Sequence, residues 1–151
     1  METENRKVKM ENGTPSPRAP AGKISDFTEL ETWKFARALR LKVYQFTSTF
    51  PRDEKYGLTS QMRRAAISAT ANIAEGYGRY SYQENVQFCR QARGSLYELR
   101  DHLTTALDAS YLSTEIFAEL DAMAVSAIRL INGYIRATRN LKLSIPERPK
   151  K

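Results

Sequence analysis

Along four stretches between about residue 29 and residue 140, apolar side chains return every three or four positions, and no stretch alternates in steps of two. That spacing gathers them on one side of an α-helix and leaves the other side polar. The chain is therefore constrained to helices that hide these sides against one another. The first helix is expected from about Glu29 to Thr49, opened by a Thr28-x-x-Glu31 capping box and stopped by Pro51. Its inward row is Trp33, Ala36, Leu39, Val43, Phe46 and Phe50, with Lys34, Arg37, Gln45 and Ser48 on another face. The second, about Leu58 to Glu75, carries Met62, Ala65, Ala66, Ala69 and Ile73. Ile67, Thr70, Ala71 and Ala74 extend its apolar surface, which predicts neighbours on several faces. Gly76 and Gly78 are expected to end it through left-handed conformations.

The third helix opens on Ser81-x-x-Glu84 and continues to about Ala109 with Val86, Cys89, Ala92, Leu96, Leu99, Leu103 and Leu107 inward. The fourth, from about Ser113 to Asn140, has two rows. Leu120, Met123, Ala127, Leu130, Tyr134, Ala137 and Leu141 follow the seven-residue repeat of bundle packing, and Ala124, Ile128, Ile131, Ile135 and Thr138 lie beside them. The first row is assigned to the bundle interior. The second is surplus and predicts burial against another subunit. Short links force consecutive helices to run antiparallel, so the fold class is all-α, an up-down-up-down four-helix bundle over residues 27–142. Residues 1–26, with Gly13-Thr14-Pro15-Ser16-Pro17, read as a disordered leader, and 143–151 as a basic tail.

Charge narrows the function. The net charge is +7, from 24 Lys/Arg and 17 Asp/Glu. Residues 129–151 hold 7 of those cations against Glu147 alone, so the excess is concentrated at the C-terminal end and points to a polyanionic partner. No apolar run approaches the roughly 20 residues of a membrane span. Cys89 is the only cysteine, which excludes an internal disulfide and fits a reducing cytoplasm.

Residues for catalysis are scarce. His102 is the single histidine, four positions after Glu98. Bundle di-metal sites need a Glu-x-x-His motif on each of two helices, and neither is present. One His and one Cys cannot make an ordinary zinc site, and Gly76-Tyr77-Gly78 follows a helix and is too short for a phosphate loop. The sequence therefore predicts no enzyme, no cofactor and no metal. Arg63, Arg64, Asn72, Glu75, Ser95 and Glu98 are read as a polar cluster tying helices two and three together, with a ligand site as the alternative. Gly94 in mid-helix costs about 1 kcal/mol relative to Ala, which predicts a close approach there.

Binding features are richer. Arg90, Arg93 and Arg100 share a face of the third helix with Tyr97, and Arg129, Arg136 and Arg139 recur along the fourth. Arg79 lies in an aromatic turn with Tyr77, Tyr80 and Tyr82, and Lys142 begins the tail. Arginines hold phosphates, and exposed aromatics stack unpaired bases. These eight basic residues are the expected nucleic-acid contacts, with RNA favoured. A solvated face with local salt bridges is the competing reading of each row.

The run Tyr56-Gly57-Leu58-Thr59-Ser60-Gln61-Met62-Arg63-Arg64-Ala65-Ala66, with Ser68 and Asn72-Ile73-Ala74-Glu75-Gly76 after it, carries a resemblance. Phe50-Pro51 precedes it, and Phe88, Ala92, Gly94-Ser95 and Glu98-Leu99 follow at fixed spacing. Over about Phe27 to Lys142 the chain resembles the four-helix bundle proteins encoded by intervening sequences of bacterial 23S ribosomal RNA genes, the S23 family. The resemblance implies a homopentameric ring. It is more distantly similar to accessory proteins of diversity-generating retroelements, which implies a reverse transcriptase as an alternative partner. The family supplies no catalytic residues. Ala109-Ser110-Tyr111-Leu112 departs from its pattern, lacking the Gly often found before the Tyr.

Overall fold

The computed structural model describes residues 24–143, so the leader before Ile24 and the tail after Leu143 fall outside the described residues. Four helices carry the fold: α1 (Glu31–Thr47), α2 (Leu58–Gly78), α3 (Tyr82–Asp108) and α4 (Thr114–Leu143). Short 3₁₀ turns precede α1 (Phe27–Glu29) and α2 (Arg52–Glu54), and there is no strand among the described residues.

Cross-helix hydrogen bonds give the direction of each element. Arg40 meets Thr70 and Thr47 meets Arg63 between α1 and α2. Ser68 meets Ser95 and Arg64 meets Glu98 between α2 and α3. Asn85 meets Tyr134 and Arg100 meets Asp121 between α3 and α4. Thr32 meets the Leu130 carbonyl and Lys42 meets Glu119 between α1 and α4. In every case one residue number rises as its partner's falls, so adjacent helices are antiparallel and α1 closes against α4.

The interior is built from the expected rows, with exchanges on α3 and α4. Leu39, Val43, Met62, Ala65, Ile73, Cys89, Leu96, Leu99 and Leu103 are all buried, while Trp33 and Phe46 are half-buried at the edge. Ala106 enters the core where Leu107 was expected; Leu107 is half-buried. On α4 the second row is the better buried along its length, joined by Leu120 and Ala127 of the first, while Met123 and Tyr134 are half-buried. Ala124, Ile128, Ile131, Ile135 and Thr138 are buried within the bundle, whereas Leu130 is 36% and Leu141 55% exposed and Ala137 is exposed too. A seven-residue repeat drifts about 20° per heptad around a straight helix. Over the three heptads from Leu120 to Leu141 that drift adds up to about 60°, so Leu120 is covered while Leu141, at the same repeat position, is exposed. α2 is also less enclosed than its composition predicts, since Ile67 and Ala71 are exposed.

The helix ends differ in their chemistry from the sequence reading. α1 begins two residues later than expected, with Leu30 at its N-cap and no side-chain cap. Thr28 donates to Asp26 instead, and Leu30 tucks into the core while Phe27 lies edge-on to Trp33 at 5.2 Å. Apolar docking thus replaces the capping box. At the other end, the hydroxyls of Thr47, Ser48 and Thr49 donate to the carbonyls of Val43, Gln45 and Phe46, and the Phe46 carbonyl also takes the Thr49 N–H. Ser81 caps α3 as expected, accepting from the Glu84 N–H at 3.4 Å. Gly76 and Gly78 are helical and neither has positive φ.

Gly76 is needed for a different reason. A Cβ there would stand 2.9 Å from the Phe88 Cβ and 3.0 Å from the Asn85 carbonyl oxygen, so the missing side chain lets α2 and α3 approach. Gly94, where a close approach was expected, has open space around the Cβ position. The residue that does take positive φ is Ser110, at 60°. It closes α3: the Tyr111 N–H donates to the Ala106 carbonyl and the Ser110 N–H to the Leu107 carbonyl, both at 2.9 Å. This is the Schellman arrangement, made by serine where glycine is usual.

Candidate functional site

The polar residues assigned to the α2–α3 seam divide. Arg64 pairs with Glu98, which also lies 3.4 Å from the His102 Nε2. One turn along, the Ser68 and Ser95 hydroxyls meet at 2.8 Å, and the Asn72 amide donates to both the Ser68 carbonyl and its hydroxyl. Arg63 and Glu75 lie outside this row. The Arg63 Nε donates to Thr47 at 2.9 Å and its guanidinium covers the Tyr44 ring, so it serves α1. Glu75 pairs with Arg79 on its own helix at 2.7 Å. Ser68, missed in the sequence, is central to the row. Its position between Arg64 and Asn72 at successive intervals of four was the available signal.

The eight predicted phosphate contacts also separate. Arg100 makes two hydrogen bonds to the Asp121 carboxylate, at 2.7 and 3.3 Å, and that bond keeps its guanidinium charged still more firmly than usual. Arg93 donates to the Asn132 side chain at 2.7 Å. Arg79 is held by Glu75, approaches Glu84 at 3.9 Å and lies over the Phe88 ring. These three act mainly within the fold. Arg90, Arg129, Arg136 and Arg139 are exposed and make no ion pair with the described residues. Lys142 falls on the last turn of α4, beyond the described side chains.

Arg90 of α3 and Arg139 of α4 come together. They line one cavity of about 600 Å³ with Tyr82, Gln83, Glu84 and Gln87. Antiparallel packing brings the end of α4 to the start of α3, whose unpaired N–H groups favour anions. Tyr80, next to this end in the α2–α3 turn, is fully exposed, and Tyr82 is partly so. Tyr77 is instead half-buried, with its hydroxyl donating to the Ile24 carbonyl.

Nothing here resembles a nucleophile–base pair. Cys89 is buried in the core, and burial pushes its thiol up to about 12. No group of three His, Cys, Asp or Glu residues among those described is placed to hold a metal ion. No described helix is long and apolar enough to cross a membrane.

Residues 28–133 match the family described as 23S rRNA-intervening sequence protein. A crystal structure from Bacteroides thetaiotaomicron, described as a protein with unknown function from the S23 ribosomal protein family, has the same fold. It superposes with a TM-score of 0.63 at 16% identity, over 70% of this chain and 98% of that one. No curated protein matches the chain.

Proposed function

The chain belongs to the 23S rRNA-intervening sequence protein family, and from that premise we propose that it is a non-catalytic RNA-binding protein that works as a homo-oligomeric ring. The observation that carries this reading is the pairing of Arg90 with Arg139 at one cavity beside the start of α3. Neither guanidinium makes an ion pair among the described residues, although Glu84 lines the same cavity, and each can take phosphate oxygens in a forked geometry. Arg129 and Arg136 extend the basic surface along α4, and the sequence after Arg139 adds Lys142, Arg148, Lys150 and Lys151. Contacts of this kind hold the backbone and carry little sequence preference.

The ring draws on α4. Leu130, Ala137 and Leu141 form an outward apolar row at the spacing of a helical seam, and a second copy would cover it. The same row favours a second reading, a protein-interaction scaffold such as an accessory subunit of a reverse transcriptase, in which the apolar row docks that partner.

The test is retention of single- and double-stranded RNA by the purified protein at low and at moderate salt. Binding that weakens steeply with salt is expected, because each neutralised phosphate releases counterions. Absence of binding at low salt overturns the reading and leaves the scaffold.

A further inference from the structure

A second cavity, of about 590 Å³, lies at the opposite end of α2 from the Arg90–Arg139 cavity. Lys55 and Tyr56 reach it from the turn before α2, and Ser60, Arg63, Arg64 and Ile67 from the first three turns of the helix. Its lining includes three cations, of which Arg64 is paired with Glu98 just outside the lining, and no acid of its own. The Arg90–Arg139 cavity has two cations against Glu84, and a third, around Arg79, has one cation against Glu75 and Glu84. Of these three cavities, the most basic one thus lies away from every arginine the sequence assigned to phosphate contact.

Its cations are oriented by the fold. Arg63 uses Nε on Thr47 and lies 4.7 Å from the centre of the Tyr44 ring, which fixes the guanidinium plane. Arg64 uses Nε on Gln61 and one terminal nitrogen on Glu98. Each keeps terminal N–H groups that make no hydrogen bond among the described residues. Tyr56 lines the same groove, 86% exposed, with the Lys55 Nζ 5.3 Å from the ring centre. Ile67 adds an apolar patch, itself 43% exposed. A flat exposed ring and an apolar patch beside three cations suit a ligand that joins a planar ring to a phosphate.

We propose that this groove binds an unpaired nucleotide of single-stranded RNA, with Arg63, Arg64 and Lys55 on the phosphates and the Tyr56 ring stacked on the base. The assignment rests on the RNA-binding reading and adds a preference to it: a duplex can satisfy the cations but cannot offer a base to Tyr56.

The experiment uses the full chain, a mixed-sequence single-stranded oligoribonucleotide, and the duplex it forms with its complement. Tyr56→Ala is expected to weaken single-strand binding by about 5- to 100-fold and to leave duplex binding unchanged. Tyr56→Phe, which keeps the ring, is expected to bind like the wild type. Equal single-strand binding by wild type and Tyr56→Ala overturns the groove assignment, as does an equal loss for both RNA forms. In the first case, continued weakening by Arg90→Ala/Arg139→Ala leaves the arginine surface standing. Failure of the wild type to bind either RNA overturns both. Tyr56 packs so little against the protein that loss of fold does not confuse the result, and circular dichroism checks it.

Discussion

Arg100 on α3 and Asp121 on α4 are locked together by two hydrogen bonds, so an arginine that shares a helical face with Arg90 is tied to the neighbouring helix and is not free for phosphate. The two groups make opposite predictions. Arg100→Ala should lower unfolding free energy by about 1 kcal/mol in urea titration. It should leave RNA affinity near the wild-type value. Arg90→Ala and Arg139→Ala should each leave stability within about 0.5 kcal/mol while weakening RNA binding.

Two glycines of the same chain should respond with opposite sign to alanine. Gly76→Ala places a methyl 2.9 Å from the Phe88 Cβ and 3.0 Å from backbone, and overpacking of this kind costs about 1–3 kcal/mol. Gly94→Ala enters open space in mid-helix and should stabilise the monomer by roughly 0.5–1 kcal/mol. Calorimetric melting temperatures check both. A Gly94→Ala variant that loses its assembly while keeping its helicity would place another subunit against Gly94.

Ser110 holds a left-handed conformation that costs an L-residue roughly 1–2 kcal/mol. Ser110→Gly should therefore stabilise the protein, by about 0.5–1 kcal/mol once glycine's greater freedom in the unfolded chain is subtracted. Chemical denaturation of the two proteins side by side decides it; an unchanged or lowered midpoint contradicts the account of this turn.

Cys89 predicts a pH dependence. Burial raises its thiol from 9.0 to about 12, so the folded state holds its proton where the unfolded state releases it. The contribution is fully present below pH 9 and is lost as pH rises towards 12. Tyr134, raised by burial, acts with the same sign, so the comparison must be with Cys89→Ala. The stability of the wild type should fall more than that of the variant between neutral and alkaline pH. The native thiol should also resist alkylation at neutral pH and react on unfolding.

The outward row on α4 predicts assembly. Leu130→Glu with Leu141→Glu should leave helicity intact and shift the sedimenting species towards the monomer. An assembly of unchanged mass would contradict the role given to this row.

How far the sequence disclosed these features depended on how many residues had to be placed relative to one another. The α3 row from Val86 to Leu103 was legible because one apolar stripe stands alone on that helix. On α4 two stripes satisfied the same periodicity, and only the direction from which α1 and α3 pack decided that Ile131 is covered and Leu130 is not. The glycines signalled constraint without showing its kind: Gly76 answers to a neighbouring helix, and the positive φ fell on Ser110. The Arg90–Arg139 pairing needed the register of α3 against α4, which no single-helix pattern contains. The groove at Lys55 and Tyr56 was partly legible, since Arg63 and Arg64 follow two turns later on the same side.

The central claim is that free arginines on α3 and α4 hold RNA phosphates, and the most direct measurement is the salt dependence of RNA affinity. The logarithm of the association constant should fall linearly with the logarithm of salt concentration for the wild type. The slope should become shallower by about one for each removed contact in Arg90→Ala and in Arg139→Ala. A wild type that does not bind at low salt, or variants whose slope and affinity match it, would contradict the account.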